Sequence, residues 1–108
     1  MKSRERESLD RIAHRLRERF LERVAGVYAL GSRVRGDYDE WSDFDVLIVV
    51  KDRDPSIEKE IIGLFVDEKL ESGVPFTPLI KDLKAFELEK GYHTPFYTNI
   101  MREGIELL

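Results

Sequence analysis

Apolar residues recur along this chain at helical spacing, then at strand spacing, then at helical spacing again. Leu9, Ile12, Leu16 and Phe20 fall three and four residues apart, which aligns them on one stripe of an amphipathic helix. Val24 to Leu30 is a short, almost wholly apolar run and reads as a buried strand. In a second run, Val46, Ile48 and Val50 share one face of a strand, while Leu47 and Val49 share the other with Asp43 and Asp45. A strand apolar on both faces is a central one. Asp54-Pro55 starts a helix with a capping side chain followed by proline in the first turn. Ile57, Ile61, Leu64 and Phe65 form its stripe, and Gly73 closes it. Residues 74–80 form a further strand, and Pro75 and Pro78 demote it towards a sheet edge. Asp82 can cap a helix beginning at Leu83. Thr94-Pro95 starts a last helix that carries Phe96, Ile100 and Met101 inward before Gly104 ends it. The order α-β-turn-β-α-β-α-α predicts an α/β sandwich with one small sheet.

The two strands around the turn carry the candidate chemistry. Residues i and i+2 of a strand point to the same side, so Asp43 and Asp45 project together with Cα atoms about 6–7 Å apart. Paired carboxylates can share hard cations, and magnesium suits them because it completes its octahedron with water and substrate phosphates. Read alone, the pair is more often merely the polar beginning of a strand. Upstream, Leu30 is followed by Gly31-Ser32 and then by Arg33, Arg35 and Gly36. Glycine lets the backbone approach a ligand closely, and a helical turn opening at Ser32 offers free N–H groups and a hydroxyl to an anion. Here too a plainer account exists, with Ser32 only capping a turn and the arginines solvated. Tyr38 and Trp41 can stack on a nucleobase or cover the core edge. Asp37, Asp39 and Glu40 suit a solvated turn.

Taken together, Gly31, Ser32, Arg35, Gly36, Ser42, Asp43 and Asp45 at this spacing resemble the signature of the DNA polymerase beta-like nucleotidyltransferase superfamily. The short chain is similar to its minimal members. The resemblance implies a single minimal nucleotidyltransferase domain over residues 1–108, an α/β fold with a small mixed sheet packed against helices, and a short helical tail. It implies that Gly31 and Ser32 hold the triphosphate of an NTP such as ATP. Arg35 and Gly36 then shape the loop, Ser42 orders the turn, and Asp43 and Asp45 bind Mg2+. The implied reaction moves a nucleoside monophosphate from a magnesium–NTP complex to a hydroxyl acceptor. Minimal members are often paired with a small helical HEPN-type protein, as antitoxin to a ribonuclease toxin, so the acceptor or partner can be such a protein. The chain departs from the pattern at one point. Transferring members carry a third carboxylate on the next strand, and residues 74–80 contain no acid, Thr77 having the only polar side chain. A hydroxyl is a poor magnesium ligand and no base at neutral pH. Asp82, just beyond, is either a substitute or the cap of the following helix. A noncatalytic nucleotide-binding or partner-binding module is therefore the alternative reading.

Length and charge narrow the setting. A chain of 108 residues suits one domain with a real core. It has no cysteine, which excludes disulfides and thiolate sites. Met1 to Ser8 is charged rather than apolar, and no run approaches a membrane span, so the expected location is the cytoplasm. The net charge of −4 is unevenly placed: residues 1–24 hold Lys2 and seven arginines against five acids. Those acids are interspersed, which argues for a solvated helix face with i,i+4 pairs rather than a nucleic-acid surface. A homo-oligomer is compatible with these features.

Overall fold

The computed structural model describes residues 3–30 and 44–108. Each apolar stripe becomes the buried side of an element. Helix α1 (Ser3–Phe20) turns Leu9, Ile12 and Leu16 fully inward. Its outer face carries the exposed i,i+4 pairs Arg6–Asp10 and His14–Glu18, the solvated face expected from the sequence. Strands β1 (Val24–Leu30) and β2 (Phe44–Val50) pair antiparallel, with an irregularity between Val24 and Gly26. Helix α2 (Pro55–Ser72) begins with the Asp54 carboxylate accepting from the Ile57 N–H. That N–H and the Arg23 guanidinium hold the Asp54 carboxyl below its ordinary range. The helix ends at Gly73, whose φ of +75° is left-handed backbone that glycine adopts readily.

Strand β3 (Phe76–Asp82) lies two residues further along than 74–80 and pairs parallel with β2. Helices α3 (Leu83–Tyr92) and α4 (Pro95–Glu103) follow, capped by Asp82 and Thr94. Strand β4 (Ile105–Glu106) then pairs antiparallel with Tyr28 and Ala29 of β1. The helical tail forms as expected, and beyond it Gly104 turns extended and the chain reaches the free edge of β1, where Leu107 donates to the Val27 carbonyl.

The sheet order is β3-β2-β1-β4. The mixed sheet was expected, as were β2 in its interior and β3, with its prolines, at an edge. Val46, Ile48 and Val50 pack with the stripes of α1 and α2, including Leu9, Ile12, Ile61 and Leu64. Leu47 and Val49 pack on the other face with Phe86 of α3 and Ile100 of α4. Met101 departs from its predicted inward position and is 45% exposed, because Ile100 already fills the buried position of that turn.

One polar cluster is built into the α1–α2 contact. Glu68 of α2 is fully buried. It accepts from Ser8 Oγ at 2.7 Å and from the Arg11 guanidinium at 2.8 Å. Burial pushes its carboxyl up, but the bonds from Arg11 and Ser8 more than offset this and hold it below the ordinary range. Those bonds satisfy a charge that would otherwise be costly inside the protein.

Candidate active site

Asp45 is the second residue of the central strand. Its neighbours on both sides fix its place: Leu30, the last residue of β1, lies opposite in the antiparallel pair, and Thr77 of β3 lies opposite in the parallel one. Leu30, which precedes Gly31-Ser32 in the chain, and Asp45 therefore meet on adjacent strands at one level of the sheet. Asp45 shares its face with Leu47 and Val49, as alternation requires, and is half-buried.

The opposite face of the same strand end holds it rigid. Phe44 is fully buried and packs on Phe76 with ring centroids 5.8 Å apart, and Phe76 meets Phe65 of α2 edge-on at 6.0 Å. The Phe44 N–H donates to the Pro75 carbonyl at 3.0 Å. An aromatic anchor one residue before Asp45 thus fixes where the carboxylate starts from. A carboxylate on such a strand suits a hard divalent cation such as magnesium. Among the described residues no group of three or more His, Cys, Asp or Glu stands close enough to hold a metal ion.

Gly31, Ser32, Arg35, Gly36, Ser42 and Asp43, together with Tyr38, Trp41, Asp37, Asp39 and Glu40, lie outside the described residues. Of the predicted acids the structure positions Asp45 and Asp82, and it separates them. Asp82 pairs with Val50, five positions along the strand from Asp45 and Thr77, or about 16 Å. Its carboxylate accepts from the Lys84 N–H at 2.9 Å, capping α3. Asp82 is the helix cap and does not join Asp45; the residue beside Asp45 on β3 is Thr77.

The chain matches the family described as "Nucleotidyltransferase domain" over residues 9–104. It belongs to that family. Two relatives from Methanocaldococcus jannaschii each carry the name "Putative protein adenylyltransferase". One is 35% identical over 82 residues, covering 75% of this chain and 76% of its own. The other is 28% identical over 100 residues, covering 93% and 94%. In this nucleotidyltransferase domain the matched region contains both the Asp45 strand end and Thr77.

A second feature on the same sheet face has no local signal in the sequence. A cavity of about 280 Å3 opens between β1 and helices α3 and α4, lined by Gly26, Tyr28, Phe86, Lys90 and Tyr97 among others. A side chain at Gly26 would crowd the Tyr28 ring, which a Cβ would meet at 3.1 Å. Burial, with Glu106 nearby, pushes the Tyr28 phenol above its ordinary range. The cavity borders Val49, four residues along β2 from Asp45, or about 13 Å, so it lies apart from the candidate site. No helix of the described residues is long and apolar enough to cross a membrane.

Proposed function

We propose that this nucleotidyltransferase domain transfers a nucleoside monophosphate from magnesium–ATP to a hydroxyl on a partner protein, releasing pyrophosphate. The observation that carries the reading is Asp45, a carboxylate on an anchored central strand directly across from the residue that leads into Gly31-Ser32. Asp43 and Asp45 are the residues to hold Mg2+, whose bound form neutralises charge on the transferring phosphoryl group. Gly31 and Ser32 would bind the terminal phosphates, with Arg35, Gly36 and Ser42 shaping the loop. The chemistry needs positioning and charge neutralisation more than covalent help. The names of the two relatives support AMP as the group moved and a protein as the acceptor. The proposed setting is the cytoplasm.

A specific observation keeps a second reading in play. Thr77 stands at the position beside Asp45 where a third acid would assist the acceptor hydroxyl, and Asp82 is used as a cap. This favours a slow or noncatalytic module that binds nucleotide and pairs, antitoxin-like, with a helical HEPN-type protein.

The deciding experiment incubates the chain with magnesium and ATP labelled at the α-phosphate, with and without a co-purified partner protein. The label should move to protein with release of pyrophosphate, and Asp45→Asn should reduce transfer at least about a hundredfold without altering the circular dichroism spectrum. Label transfer undiminished in Asp45→Asn would contradict the assignment. Magnesium-dependent nucleotide binding with no transfer to any partner would select the module.

A further inference from the structure

The cavity between β1 and helices α3 and α4 has the make-up of a ligand pocket that the proposed reaction does not use. Gly26, from the irregular stretch of β1, and Val49, its partner on β2, lie side by side in its lining. Its walls are aromatic. Tyr28 stacks on Phe86 with ring centroids 6.0 Å apart, and Phe86 meets Tyr97 edge-on at 5.4 Å. The Tyr28 phenol lies close over Gly26, its hydroxyl 3.3 Å from where a Cβ would stand, so the missing side chain leaves it room. Two opposite charges of α3, Glu87 and Lys90, line the same cavity. Opposite charges three or four residues apart on a helix are neighbours that readily pair, as Arg6 and Asp10 do on α1. Among the described residues Glu87 and Lys90 make no ion pair, with each other or with any other side chain. An apolar pocket with a few convergent polar groups is the usual make-up of a small-molecule site.

We propose that this cavity binds a free aromatic α-amino acid, its ring among Tyr28, Phe86 and Tyr97, its carboxylate on Lys90 and its ammonium on Glu87. The three rings offer the edge-on and offset contacts that aromatic groups prefer. The two charges at neighbouring positions match the two charges that an α-amino acid carries on one carbon. A nucleotide suits the cavity badly: its phosphates would meet Glu87. The volume of about 280 Å3 also lies at the small end of ligand pockets, which run from about 300 to 1,000 Å3. A purely apolar molecule would leave both charges without a partner. Buried Leu47 stands between Val49 and Asp45 on the same strand face, so the inference is independent of the proposed reaction.

Chemical-shift titration of the isotope-labelled chain with phenylalanine, hydrocinnamate (no ammonium) and phenethylamine (no carboxylate) tests the proposal. Phenylalanine should bind in the millimolar range or tighter and shift the amides of Gly26, Tyr28, Phe86 and Lys90 but not that of Asp45. Lys90→Gln should weaken phenylalanine and hydrocinnamate about fivefold and leave phenethylamine unchanged. Glu87→Gln should weaken phenylalanine and phenethylamine and leave hydrocinnamate unchanged. Met101→Trp, which adds bulk to the lining, should weaken all three with an unchanged circular dichroism spectrum. A folded wild type whose spectrum does not respond to phenylalanine would overturn the proposal. So would shifts confined to residues outside the cavity, or a phenylalanine affinity that neither charge variant alters.

Discussion

Asp45 and Thr77 are neighbours across a parallel strand pair, and that single register position governs what the site can do. A carboxylate beside Asp45 could both bind a cation and accept a proton from an attacking hydroxyl; a threonine hydroxyl can do neither well. Thr77→Asp should therefore raise the initial rate of pyrophosphate release about a hundredfold, the lower end of what general-base assistance provides. A folded variant with an unchanged rate would show that position 77 does not face the reacting groups. Asp82 supplies the complementary test, because its carboxylate caps α3 about 16 Å away along the strand. Asp82→Ala should lower stability by about 1 kcal/mol in thermal melts and leave transfer per folded molecule intact. Loss of transfer at unchanged stability would restore Asp82 to the site. Sequence alone left Asp82 as either cap or third acid, since both roles use the same residue type just beyond a strand. Only the register, which sets it opposite Val50, separates them.

At the scale of elements, the legible parts were those whose signal is local. The stripes of α1 and α2, the caps Asp54 and Thr94, the stop at Gly73 and the run Val24–Leu30 are each written within one element, and each forms as expected. Pro75 and Pro78 foretold an edge strand because proline removes a ladder donor, and β3 is at the edge. Three features were not legible, and each depends on a distant element. Strand β4 is two residues long and exists because β1 offers a free edge. Met101 is displaced outward because Ile100 takes the buried position. Glu68 looks like any surface glutamate until α1 brings Ser8 and Arg11 against it. This last contact has a consequence in acid. A carboxyl whose folded pKa is depressed contributes stability that is complete above its unfolded value, about 4.3 for glutamate, and is lost as pH falls through the folded value. The melting temperature should therefore fall on acidification below about pH 4 more steeply in the wild type than in Glu68→Gln. Parallel pH profiles for the two proteins would remove Glu68 from the account of the α1–α2 contact.

Across the whole molecule, the sheet divides the labour between its faces. α1 and α2 close one face with the larger apolar cluster and the Glu68 contact, and α3 and α4 cover the other, on which Asp45 stands. The central strand serves both faces at once: Phe44 secures its start from one side so that Asp45 can be presented from the other. The candidate site is read from spacing, since Gly31-Ser32 and Asp43-x-Asp45 lie close in sequence, and of these residues the structure describes Asp45. The structure adds that Leu30 and Asp45, the described ends of those two segments, are strand partners. Whether that strand end is a nucleotide site decides the proposed function. The most direct measurement is calorimetric titration of ATP into the wild type and into Asp45→Asn, each with magnesium and with a chelator. Binding by the wild type should require magnesium and be lost in the variant, whose melting temperature is preserved. Absence of binding by the folded wild type, or equal binding by the variant, would contradict the proposed function.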